Sequence, residues 1–295
     1  MKNKFTLKNY TSLEPYIQSL LYNFSWTGSS NLKANIKYSF VTKKNSEYKN
    51  IEVLTIKEQE QVKHALELWE NVANIKFIES TEKNDNDYEF KLLIRKGDLN
   101  KDTLKDAKTK IAGNTELRSA VDSSLIVGAD IVLSKDIFNN FEPGSASFKT
   151  ILHEIGHALG LKHPCNYGGN EPGPYLSKEE DNRVYSIMSY HNKKDMDTSL
   201  FPLTPMAYDI AAVQFLYGAN TKFNNDDTIY KFEENPRSWP FSKKNKSLQT
   251  IWDGGGNDTI DASSTRTNNI IDLREGPQHL SNIGGNYFTI AYNAH

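Results

Sequence analysis

His153 and His157 stand four residues apart, Glu154 follows the first, and His163 comes six residues after the second. On a helix, positions i and i+4 lie on one face a turn apart, so both imidazoles can bind one metal ion. Glu154 is poorly placed to share that ligand set and well placed to accept a proton from water held on the metal. A catalytic zinc takes three protein ligands and keeps one position open. His163 supplies the third if Gly160 lets the chain turn back sharply. His-Glu-x-x-His alone is short enough for a surface helix to carry by chance. The glycine, the third histidine and Pro164 in register make the longer pattern far more restrictive. A structural zinc is usually closed by a fourth Cys or His, and the single Cys165, two residues after His163, is an awkward reach for that role.

The two nearest histidines need a helix beneath them. Leu152, Ile155 and Leu159 form a buried stripe at spacings of three and four, which predicts a helix over 147–159, ended by Gly160. Val62, Ala65, Leu66, Trp69 and Val72 predict a second amphipathic helix over 56–72, and the apolar run 209–217 a third. Period-two alternation over 32–41, with the runs around Phe77, 90–94 and 129–133, predicts strands on both sides of the long helix, hence an α+β fold. Residues 96–110, rich in Lys, Asp and Thr, read as a solvated loop or short exposed helix. Pro172, Pro174, Gly168, Gly169 and Gly173 mark a long surface loop. After Gly218 the composition turns to Asn, Asp, Ser and Gly, which sets an expected boundary between regions 1–218 and 219–295.

Within the second region, Thr250 to Asp261 contains most of a Gly-Gly-x-Gly-x-Asp calcium repeat, with Asp253 where the first glycine would stand. Gly255 and Gly256 allow a tight turn that presents backbone carbonyls, and Asp253 and Asp258 add carboxylate oxygens. Calcium takes six to eight oxygens, so this loop alone is insufficient, and the same residues could form a plain β-turn.

A formal charge of −2 offers no general attraction for nucleic acid or anionic lipid, so neither is an expected partner. One cysteine cannot form an internal disulfide, which leaves packing or metal to hold the fold. The N-terminus has a basic pair but no apolar core of a secretory signal, and no apolar run reaches the roughly 18 residues of a spanning helix. The chain is expected to be a monomer, not integral to a membrane.

The segment from His153 to His163 resembles the metzincin zinc motif, whose group also has a methionine turn downstream; Ser186-Ile187-Met188-Ser189-Tyr190 is the candidate here. His163-Pro164 paired with that turn resembles the serralysins, secreted bacterial endopeptidases. The resemblance implies a metzincin-type domain, a twisted mixed sheet with long helices, followed by the start of a calcium-binding parallel β-roll. It implies Met188 as an apolar floor beneath the zinc and Tyr190 as a further zinc ligand that swings away. Glu154 would be the general base, and Asn224, Asp226 and Thr228 would mark the loop that completes the calcium ligands. Residues 20–28, 38–40 and 209–220 extend the similarity, which is weakest over 42–123. An extended protein or peptide substrate would add to a sheet edge expected near 110–115. Serralysins continue into several full repeats and a C-terminal export signal, so the roll here is expected to be a stub with no export signal visible. Two other readings compete: a calcium-dependent binding or adhesion module with a non-catalytic metal site, and a hydrolase of some other bond, such as an ester. Glu154 argues against the first, since a binding module has no need of a base beside its metal.

Overall fold

The computed structural model describes residues 12–41, 51–80, 91–97, 112–121, 123–135, 141–168, 171–232 and 246–295. In chain order its elements are α1 (Pro15–Ser19), β1 (Ala34–Phe40), β2 (Ile51–Glu52), α2 (Ile56–Val72), β3 (Ile75–Glu79), β4 (Lys91–Gly97), β5 (Gly113–Ser119) and β6 (Ile126–Ser134). There follow α3 (Ala146–Ala158), α4 (Ala207–Tyr217), β7 (Ile229–Lys231), β8 (Leu248–Ile251), β9 (Thr259–Asp261), β10 (Ser281–Ile283) and β11 (Asn286–Ile290).

Thr55 and Glu58 close a capping box that fixes the start of α2 where the apolar periodicity begins. The helix buries Val62, Ala65, Leu66, Trp69 and Val72, the stripe read from the sequence. Its Trp69 indole donates to the carbonyl of Leu152 at 3.3 Å, which joins α2 to α3. The main sheet runs β3-β1-β4-β6-β5, with β2 paired to the end of β4. β1, β3, β4 and β6 are mutually parallel, while β5 lies antiparallel to β6 at the edge. That mixed sheet with long helices is the expected α+β class.

The edge strand begins at Gly113, so it overlaps the expected stretch only at its end; Lys110 and Ile111 lie outside the described residues. The polar stretch expected over 96–110 begins inside β4. Lys96 is buried and paired with Glu52 at 3.0 Å and Glu58 at 3.1 Å, so it is not a solvated residue. Residues 98–110 of that stretch, Phe90, Gly169 and the N-terminal 1–11 lie outside the described residues.

In the C-terminal region, β7 pairs with β9 and β8 with β11, both in parallel, as at the start of a parallel roll, and β10 closes on β11. The main core does not stop at Gly218: Leu248, Trp252 and Ala291 belong to the same buried cluster as α2, α3 and α4. Among the described residues no helix is long and apolar enough to cross a membrane.

Candidate active site

α3 carries His153, Glu154 and His157, all buried, and ends one residue before the expected 159. Two carbonyls of its last turn find side-chain partners: the Trp26 indole donates to Ala158 at 2.8 Å and the Tyr217 hydroxyl to Leu159 at 2.7 Å. Gly160 then takes φ +102°, and any Cβ there would collide with the carbonyl oxygen of Phe24. Glycine is required on both counts, and the turn it makes brings His163 back over the helix.

The three imidazoles converge. His163 Nε2 lies 3.2 Å from His153 Nε2 and 3.1 Å from His157 Nε2. Their other nitrogens face oxygens: His153 Nδ1 the carbonyl of Ile187 at 2.9 Å, His157 Nδ1 the carbonyl of Leu161 at 2.8 Å, and His163 Nδ1 a carboxylate oxygen of Glu171 at 2.9 Å. Those acceptors hold the ring protons at Nδ1 and leave the Nε2 lone pairs turned toward one another. Burial, and then the charges around them, hold His153 and His157 well below their ordinary imidazole value, so both are neutral. Lone pairs so close together repel unless a cation lies among them. This is the only cluster of at least three His, Cys, Asp or Glu groups suited to a metal among the described residues. Cys165 is not part of it; its sulfur faces the carbonyl of Leu176 at 3.7 Å.

Tyr190 joins from the loop after α3, its hydroxyl 2.9 Å from His163 Nε2 while half the residue remains exposed. Its ring stacks on Tyr167 at 4.5 Å between centroids, and Tyr167 is tied through its hydroxyl to Asp181. Met188 is fully buried against α3, and Gly156 leaves room for it: a Cβ there would lie 2.8 Å from the Met188 sulfur. Asp209, in the first turn of α4, pins the methionine turn. It accepts from Ser186 Oγ at 2.6 Å, from the Ile187 amide at 2.7 Å and from the Met206 amide at 2.9 Å.

Glu154 lies against the edge strand. Its Oε2 accepts from the Thr115 hydroxyl at 2.7 Å, and Gly113 passes so close that a Cβ would come within 2.6 Å of Oε1. Burial pushes the Glu154 carboxyl up to about 7, against the opposing pull of the Thr115 hydrogen bond and of Lys149. Lys149, one turn before His153, is itself buried, and burial brings its ammonium down to about 7.

The candidate calcium residues lie elsewhere, where the loop 253–258 meets the loop 221–228. Asp253 Oδ1 accepts from the Gly255 amide at 3.0 Å and its Oδ2 from the Tyr230 hydroxyl at 2.5 Å. Asp258 Oδ1 accepts from the Thr228 amide at 2.8 Å, while its Oδ2 is buried with no hydrogen-bond partner. At Gly256 a Cβ would come within 2.6 Å of the Asp226 carbonyl oxygen, and Gly255 faces the Asn225 carbonyl. An orphaned carboxylate oxygen beside glycines that admit backbone carbonyls suits a hard cation.

Glu171, Tyr167 and Asp209 are contributors that sequence reasoning did not assign to the site, and Gly113 and Thr115, inside the expected substrate edge, were not read as neighbours of Glu154. Each acts across a tertiary contact, and nothing in its local pattern marks that contact.

The Matrixin family profile matches residues 25–168, and that of the Peptidase M10 serralysin C terminal matches residues 219–294. A serralysin of Proteus mirabilis is 31% identical over 254 residues, covering 77% of this chain and 48% of its own. Serralysin A of Dickeya chrysanthemi is 30% identical over 276 residues, covering 89% of this chain and 56% of its own. Serralysin C of the same organism reaches 41% identity over 146 residues, 46% of this chain and 30% of its own. The chain therefore spans about half the length of the first two of these relatives. With a histidine cluster inside the Matrixin match and two parallel strand pairs inside the C-terminal one, the chain belongs to the serralysin-like metzincins.

Proposed function

We propose that the chain is a zinc-dependent endopeptidase that hydrolyses peptide bonds in proteins, with His153, His157 and His163 holding the metal, Tyr190 a displaceable further ligand and Glu154 the general base. The observation that carries this reading is the convergence of three Nε2 lone pairs, with every Nδ1 engaged elsewhere, directly beside a buried carboxylate. Bound zinc would bring its water to a pKa of about 7 and polarise the scissile carbonyl. Glu154 takes the proton from the attacking water and returns it to the leaving amine. Burial favours the protonated form of this carboxyl and bound metal would favour the ionised one, so the two environments oppose each other at the group that must both take and return the proton. Thr115 holds one oxygen of Glu154 and so fixes the direction of the other. Tyr190, half exposed, has room to move off the cluster and donate its hydroxyl to the oxyanion that forms on the former carbonyl.

β5 is the sheet edge beside Glu154, and an extended peptide pairing with its backbone would lie across the base. Affinity from main-chain hydrogen bonds would make the enzyme tolerant of sequence. The calcium reading rests on the Asp258 oxygen left without a partner, with Asp253, Gly255, Gly256 and Asp258 on one loop and the carbonyls around Asn225 and Asp226 on the other. The division into a protease region 1–218 and a roll region 219–295, and action outside the cell, follow from the serralysin resemblance. The test is hydrolysis of casein, blocked by a zinc chelator and restored by zinc. Glu154→Gln should retain the metal and lose about 100- to 10,000-fold in turnover. Parent-like turnover by that variant would remove Glu154 from the mechanism, and chelator-insensitive hydrolysis would remove the metal.

A further inference from the structure

The three histidines do not hand their Nδ1 protons to equal partners. His153 and His157 donate to neutral carbonyls, whereas His163 donates to the Glu171 carboxylate. A carboxylate behind an imidazole fixes the tautomer and raises the basicity of the opposite nitrogen more than a carbonyl does. Glu171 is itself held: the Tyr22 hydroxyl donates to the same Oε1 at 2.9 Å, so the oxygen facing His163 cannot rotate away without losing two hydrogen bonds. Tyr22 in turn is fastened to the turn that carries the third histidine. Its amide donates to the Gly160 carbonyl at 3.0 Å, and Leu21 bridges Leu161. Lys162, buried between the same segments, donates to the carbonyls of Ser19 and Pro174 and so locks the loop bearing Glu171 to the N-terminal segment.

We propose that Glu171, clamped by Tyr22, is a positioning residue for the metal: it orients His163 and strengthens its donor nitrogen, so a residue outside the zinc motif sets how tightly the third ligand holds the ion. This rests on the reading of the three histidines as metal ligands. The two parts of the claim separate experimentally, because affinity can be read without turnover.

Zinc dissociation constants of the full chain are measured by competition with a chromophoric chelator, and the visible spectrum of the cobalt(II)-loaded protein reports the coordination geometry. Glu171→Gln should weaken zinc binding by about 10- to 100-fold and alter the cobalt spectrum, while the melting temperature of the metal-free chain stays near that of the parent. Glu171→Asp, which keeps the charge on a shorter arm, should recover part of the loss. Tyr22→Phe should weaken binding in the same direction by less, and the Tyr22→Phe/Glu171→Gln pair should be no worse than Glu171→Gln alone, because the two share one path. If Glu171→Gln does not fold without metal, Tyr22→Phe decides the question alone. Parent affinity and a parent cobalt spectrum in Glu171→Gln, or in Tyr22→Phe where that variant decides, would overturn the proposal, provided His163→Ala loses the metal. Were His163→Ala to bind zinc like the parent, the ligand assignment itself would fail.

Discussion

At the scale of single residues, the site depends on atoms that are left out as much as on those present. Gly113 presents bare backbone to Glu154, and the 2.6 Å approach of a hypothetical Cβ to Oε1 shows how little room remains. Gly113→Ala should therefore displace the carboxylate and lower turnover at least about 10-fold with little change in zinc content, because a small misplacement of a catalytic group is costly. Metal analysis beside casein hydrolysis checks this; a parent-like rate would mean that the strand shifts to accommodate the methyl group. Tyr190→Phe deletes only a hydroxyl and keeps the ring stacked on Tyr167. Its turnover should fall about 100- to 1,000-fold, the typical loss for one oxyanion donor, with zinc retained by the three histidines. If zinc left with the hydroxyl, Tyr190 would be a structural ligand and not a switch.

At the scale of elements, what the sequence made legible follows from local periodicity. α2 spans the residues that the apolar stripe predicts, and α3 is displaced by a single residue at each end. The convergence of the three histidines was legible because it is fixed by one helix turn and one glycine, whereas Ser186 to Tyr190 was legible only through the family resemblance. β5 overlaps the expected edge only at its first residues, because GNTELRS has little apolar alternation and pairs on one side only, with β6, so the sheet partner and not the sequence determines its register. Asp209 shows the same limit: its pattern reads as a helix start, yet it also holds the methionine turn from across the fold. Burial raises its carboxyl from 3.8 to about 6, against three hydrogen bonds that favour the charged form. The folded chain thus binds this proton more tightly than the unfolded chain does. Its contribution to stability is greatest below about pH 4, declines as pH rises to about 6, and stays at its minimum above that. Asp209→Asn cannot titrate at this position, so urea unfolding of metal-free parent and variant between pH 4 and 7 should show a more downward slope in the parent than in the variant, where Glu154, His153 and His157 still titrate. Equal slopes would assign the titration to other groups.

At the scale of the whole molecule, the loops 221–228 and 253–258 and the histidine cluster share one interior. Leu248, Trp252 and Ala291 lie in the same core as α3, and the Trp252 indole donates to the Asn220 carbonyl at 3.0 Å. Calcium should therefore raise the melting temperature of a single cooperative transition, and Asp258→Asn, which weakens the orphaned oxygen as a ligand, should reduce that rise. Calorimetry with and without calcium tests both; two separate transitions would show that the roll unfolds alone. The rings of Tyr16, Tyr208 and Tyr292 stack in sequence, at 4.4 and 5.3 Å about Tyr16, and so tie α1, α4 and the last residues of the chain into one column. That column bears on inheritance and on engineering. A C-terminal region exchanged between relatives would arrive with its own partner for Tyr16 and Tyr208, so the transferable part is a matched face and not a span of sequence. Chimeras cut at Gly218 should tolerate exchange in proportion to how well those three aromatic positions agree.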